Sequence, residues 1–170
     1  MHLRASYNNA ETRPSGLPAV GGISWGTHLC QFYRNKADLL EALVPFFTAG
    51  LEANERCLWI TSEPLNPAEA IAALAQAVPD LAERMRRGQI DILDYRDWYL
   101  RPQGLSADDV LNGWLADEAA ALAGGYHGLR LSGDTVWLER KDWDRFMAYE
   151  TSVHRAFHSQ RILARSAATR

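Results

Sequence analysis

The chain lacks the motifs that usually announce a nucleotide-handling or hydrolytic enzyme. It has no G-x-x-x-x-G-K-[ST] run, no G-x-G-x-x-G turn and no G-x-S-x-G elbow. After Phe32-Tyr33, where a phosphate loop would follow a first strand, it reads Arg34-Asn35-Lys36-Ala37-Asp38. No glycine there lets backbone wrap a phosphate, and no Lys-Ser/Thr pair follows, which excludes ordinary NTP hydrolysis. Cysteine is scarce. Cys30 and Cys57 are the two present, both in apolar strand-like runs, and they read as reduced, buried thiols of a cytoplasmic protein. No apolar run approaches the roughly 18 residues of a membrane span, and the N-terminus lacks the layout of a signal peptide. Charge of one sign is also missing. A net charge of −3 gives no global attraction to nucleic acid or anionic membrane.

What is present is an ordinary globular composition, 47% hydrophobic and 23% charged, in 170 residues, which is enough for one domain with a buried core. Residues 1–24, rich in Asn, Pro, Ser and Gly, read as a flexible tail. Residues 25–164 alternate strand and helix patterns, and 165–170 read as a second tail. The expected strands are His28–Tyr33 (buried), Arg56–Thr61 (buried on both faces), Gln89–Tyr95, Gly128–Ser132 and a short one over Arg161–Ala164. Asn35 is placed to cap a helix with the stripe Leu39, Leu40, Leu43, Phe47 and Leu51, which Pro45 should kink or split. Asn66-Pro67-Ala68-Glu69 opens a helix to about Val78, Asp80–Arg87 forms a short one, and Ser106 caps one to Ala123. Asp97–Gly104 reads as an aromatic loop and Lys141–Phe157 as a final helix. This order predicts an α/β fold, a three-layer sandwich with a mostly parallel central sheet.

In such sheets ligands sit at the carboxyl edge of the strands. Tyr33-Arg34, Ser62-Glu63, Tyr95 to Tyr99, and Ser132-Gly133-Asp134 with Trp137 fall at that edge. Tyr33, Tyr95, Trp98, Tyr99 and Trp137 are candidates for the walls of a mostly apolar pocket. Glu63 and Asp134 are candidates to orient a polar end, and Arg34 or Arg130 to pair with an acidic group. Capping and turn chemistry account for the polar turns equally well, and packing under a lid loop is the alternative for the aromatics. His28 and Cys30, two apart on a strand, share a face and suit a soft metal, but no further close ligand pair completes a site, so no metal is expected. Glu150, His154 and His158 at spacing four read as a solvated helix face. The basic end after Glu150, with Arg155, Arg161, Arg165 and Arg170, is too sparse for nucleic-acid recognition. Asp94, Asp97 and Asp134 are not singled out by spacing as an acid–base set.

The motif His28-x-Cys30-x-Phe32-Tyr33 combines with Leu43-Val44-Pro45-Phe46-Phe47, Trp59-Ile60-Thr61-Ser62-Glu63-Pro64, Trp98-Tyr99-Leu100, Leu111-Asn112-Gly113-Trp114, Gly128 to Asp134 and Trp137-Leu138-Glu139. As a set, over roughly His28–Leu163, these resemble the MEDS domain, the methanogen/methylotroph sensory domain of a dichloromethane-responsive repressor. The resemblance implies a RecA/KaiC-like core without a phosphate loop and a non-enzymatic, signal-transducing role. It also implies a small, largely apolar organic ligand (a hydrocarbon derivative) and no cofactor. Output would pass through a partner such as a histidine kinase or transcription regulator, without direct contact to nucleic acid or membrane. Self-assembly into a homo-oligomer is left open. Past Ile162-Leu163-Ala164 the chain departs from the family pattern, in which a Leu-Cys-Thr-Tyr-like segment follows. Three alternative readings are a non-catalytic RecA-like interaction module, a metal or thiol redox sensor using His28 and Cys30, with Cys57, and an uncharacterised hydrolase dependent on a single Asp or Glu.

Overall fold

A computed structural model of the protein describes residues 11–99, 107–134 and 151–169. Its elements are β1 (Thr12–Pro14), β2 (Gly22–Ser24), β3 (His28–Tyr33), α1 (Lys36–Glu52), β4 (Arg56–Thr61), α2 (Pro67–Ala77), α3 (Leu81–Arg86), β5 (Ile90–Asp94), α4 (Tyr95–Tyr99), α5 (Ala107–Ala123), β6 (Leu129–Asp134) and β7 (Ile162–Thr169). Residues 151–157 are helical. The main sheet is five-stranded and wholly parallel, in the order β3-β7-β6-β4-β5.

Alternation along the strands divides the core in two. Cys57, Trp59, Ile90, Ile92 and Leu163 face α1, α2 and α3, where Phe47 stacks on Trp59 at 4.9 Å. Leu58, Ile60, Leu129, Leu131, Ile162 and Ala164 face the opposite layer, with Trp98, Trp114, Val153 and Phe157. Three layers therefore enclose two apolar seams, as the element order predicts.

Local signals hold where side chains close their own hydrogen bonds. Asn35 accepts from the Asp38 N–H at the start of α1, and Asn66 and Glu69 form a complete capping box on α2. Pro45 does not split α1. It lacks the N–H that would reach Glu41, and Glu41 lies on the exposed side, where that carbonyl meets water.

Four expectations are corrected. The tail expected over 1–24 carries the β1–β2 antiparallel hairpin, and Ser15, Ile23 and Trp25 are buried. Gly16 there has φ +78, and a Cβ would lie 2.1 Å from the Pro45 carbonyl oxygen, so the turn fits against α1 only as glycine. The tail expected from 165 is the second half of β7. That strand lies between β3 and β6, which satisfy its backbone on both sides despite its polar, alanine-rich sequence. β3 is the edge strand among the described residues and not a buried one, so Cys30 is exposed while Cys57 is buried. Within the expected aromatic loop, residues 97–99 are helical in α4, because Trp98 and Tyr99 fold back into the core.

Candidate functional site

Parallel strands bring the turns after β3, β4, β5 and β6 to one edge, as the sequence leads one to expect. At the β3–α1 turn, Asp38 accepts from the Arg34 backbone N–H at 3.0 Å and from its Nε at 3.3 Å. Those bonds, the backbone one first, hold the Asp38 carboxyl below its usual range. With Asn35 capping Asp38, the chain's own side chains occupy N–H groups that a phosphate would need at this helix start. Beneath α1, at the ends of β4 and β6, Leu39, Leu43, Trp59, Ser62, Leu65 and Ser132 leave a void of about 10 Å³, no larger than one water.

The predicted residues that are described do not converge on one pocket. Tyr33 is buried under α1, and Arg34 is exposed and paired with Asp38. Glu63 is exposed; Tyr95 is half-buried with the Arg96 guanidinium 5.6 Å from its ring. Trp98 and Tyr99 lie on the α5 face of the sheet. Trp98 packs on Tyr99 at 4.9 Å and on Trp114 at 5.7 Å. Phe32 projects at the edge, 58% exposed. β6 ends at Asp134, whose side chain lies outside the described residues, as does Trp137.

Arg130 lies in the core and not among the exposed turns. It is fully buried, its Nε donates to Glu55 Oε2 at 2.5 Å, and its other nitrogens donate to the carbonyls of Phe46 (2.8 Å), Pro14 (2.8 Å) and Ser15 (3.4 Å). Glu55 also accepts from Arg13 Nε at 3.1 Å, so the pair anchors the N-terminal hairpin to the core. The β6 alternation that puts Leu129 and Leu131 toward α5 forces Arg130 to the other face.

Nor do the thiol and imidazole candidates form a centre. His28 Nε2 shares a 2.7 Å hydrogen bond with Ser166 Oγ. Burial, assisted by the nearby His154 charge, lowers its pKa to about 4, so the ring is neutral at pH 7. Burial pushes the Cys57 thiol up to about 12, which leaves it unreactive. Among the described residues no cluster of three metal-ligating side chains exists.

A ligand-sized space lies instead between α5 and the β4–β5 side of the sheet. This cleft, about 250 Å³, has an apolar floor of Leu58, Leu93 and Leu129, with Trp98 at one end and Ala120 and Ala121 of α5 above. Arg56, Asp91 and Asp117 give it a polar rim, and Arg56 forms an ion pair with Asp91 across the two strands. Of the described members of the predicted set, only Trp98 lines it. The rest were missed because they are scattered singly, although the signals exist. Period-2 alternation puts Leu58, Asp91 and Leu93 on one face, and the spacing of Asp117, Ala120 and Ala121 puts them on one helix side.

Comparison with known proteins agrees with the fold. The family model "MEthanogen/methylotroph, DcmR Sensory domain" matches residues 27–167. No match was found among curated proteins. Among solved structures, a KaiC-like protein of the hyperthermophilic archaeon Pyrococcus horikoshii OT3 is similar in fold. The TM-score is 0.60 at 16% identity, covering 94% of this chain and 71% of that one. No described helix is long and apolar enough to cross a membrane. The chain belongs to the MEDS family of sensory domains, built on a RecA/KaiC-like α/β core.

Proposed function

We propose that this sensory domain binds a small, largely apolar organic molecule in the cleft under Trp98 and relays its occupancy to a partner protein. The observation that carries the reading is the cleft itself. It has an apolar floor, one aromatic end and a polar rim, in a volume below the roughly 300–1,000 Å³ of drug-sized sites. A ligand there is therefore small, with one polar group facing Arg56, Asp91 or Asp117. Relay has a physical route. Trp98 touches Trp114, Trp114 lies 5.7 Å from Phe157, and Phe157 meets His28 edge-on at 6.4 Å, so an aromatic chain joins the cleft to the edge strand β3. Occupancy that shifts Trp98 biases the packing of that chain, and a partner at β3 reads the difference.

Ligand-observed NMR with a panel of small halogenated and oxygenated hydrocarbons tests this. Binding is expected for some members, and Ala120→Trp, which fills the cleft from the exposed side of α5, is expected to abolish it. Binding that survives Ala120→Trp would contradict the placement. A second reading, a non-catalytic interaction module, is favoured by the exposed Phe32 on β3. It requires concentration-dependent self-association that Phe32→Ser removes and that no small molecule alters.

A further inference from the structure

A second space, independent of the cleft, runs along the outer side of α1. It is a groove of about 520 Å³ between α1, the edge strand β3 and residues 17–20. Leu17, Pro18, Val20 and Phe32 give it apolar sides, while Gln31 and Ala42 line it as well. Beside that wall lies a side chain the sequence reading placed in a solvated tail. Arg165 of β7 stands opposite Leu29 of β3, so it shares a sheet face with Gln31 two residues further along.

Arg165 is 6% exposed, yet among the described residues no carboxylate pairs with it. Its one hydrogen bond runs from Nη1 to the Ala42 carbonyl at 3.3 Å. Its Nε is buried with no acceptor. The Phe46 ring 5.8 Å away supplies only a weak cation–π contact. Burial lowers its pKa to about 10, which still leaves a full positive charge at pH 7. Next to it, Gln31 Oε1 is likewise buried without a donor. A buried charge is ordinarily paired, and two neighbouring orphaned polar atoms beside one groove define a gap in the hydrogen-bonding of the core.

We propose that this groove is a binding site for a small organic carboxylate, whose head group passes between Gln31 and Ala42 to pair with Arg165. The free Nε side of the guanidinium matches a carboxylate held by two parallel bonds. The Gln31 amide, turned over, offers its N–H₂ to the same head group. The aliphatic body lies on Leu17, Pro18 and Val20. Two acids also line the groove, and neither closes it to an anion. Asp38 is neutralised by Arg34, and Glu41 is exposed.

Isothermal titration calorimetry of the full chain with hexanoate, hexanamide and inorganic phosphate tests the site. Hexanoate is expected to bind at least tenfold more tightly than hexanamide and more tightly than phosphate. Arg165→Met is expected to erase that preference, Arg165→Lys to retain part of it, and Gln31→Leu, at the groove wall, to weaken hexanoate several-fold. The Ala120→Trp variant, with the cleft filled, is expected to bind hexanoate unchanged, which separates this site from the one under Trp98. Equal affinity for acid and amide, no binding of hexanoate, stronger binding of phosphate, or a preference that survives Arg165→Met would each overturn the assignment.

Discussion

Arg130 and Arg165 sit on adjacent strands, on the same face of the sheet, with the Phe46 ring 4.7 Å and 5.8 Å from their guanidinium carbons. The core treats them in opposite ways. Arg130 has a carboxylate at 2.5 Å and three carbonyls around it. Among the described residues Arg165 has one carbonyl at 3.3 Å and no carboxylate. A buried ion costs several kcal/mol in lost hydration unless partners replace the water. Arg130 is therefore a structural tie that clamps the N-terminal hairpin, β4 and α1 together. Arg165 is a charge that the described residues leave with one carbonyl and a weak ring contact, and the proposed carboxylate would supply the missing partner. His28 shows a third solution to the same problem, because an imidazole can give up its proton where a guanidinium cannot.

The largest way to break the comparison is to remove the carboxylate that distinguishes the two arginines. Glu55→Ala strands Arg130 and Arg13 together and is expected to lower stability by about 3–5 kcal/mol, read by urea unfolding. The expected loss of the hairpin would show as early amide exchange over residues 12–24.

His28 gives the next effect, through pH. Its folded pKa of about 4 lies below the ordinary 6.5, so between those values the unfolded chain binds the extra proton. Stability is then expected to fall as pH drops from about 6.5 to about 4, by a total on the order of 3 kcal/mol. In His28→Gln that part of the slope disappears. A smaller effect comes from crowding the paired arginine without removing its charge. A Cβ at Gly50 would lie 2.6 Å from Cδ and Nε of Arg130, so Gly50→Ala is expected to cost about 1–3 kcal/mol by thermal unfolding.

Much of the fold was legible. The strands of the main sheet other than the second half of β7 announced themselves by apolar runs between turn signals, and the caps at Asn35 and Asn66 fixed the starts of α1 and α2. The family motifs also gave the RecA/KaiC-like core. What was illegible depended on partners distant in sequence. β7 looks like a tail after Ala164 because its Arg, Ser and Ala residues gain strand character only from β3 and β6 on either side. The 12–24 hairpin looks flexible because what holds it is Arg130, more than a hundred residues away. For the site, edge geometry was foreseeable and side-chain direction was not. Arg130 is a candidate partner for an acidic group by its charge alone, yet a strand side chain points to a face, and on this face it meets Glu55. Trp98 packs among aromatics, but α4 carries it inward, to the end of a cleft whose floor comes from single residues of three strands.

The most direct test is the urea unfolding free energy, at pH 7 and without ligand, of Arg130→Met beside Arg165→Met. Arg130→Met leaves Glu55 buried with only Arg13 and is expected to destabilise by about 3–5 kcal/mol. Arg165→Met replaces an uncompensated charge by an apolar chain of similar length and is expected to leave stability unchanged or raise it by about 1 kcal/mol. Destabilisation of several kcal/mol by both substitutions would contradict the account, because Arg165 would then be a structural tie like Arg130 and not a charge kept for a ligand.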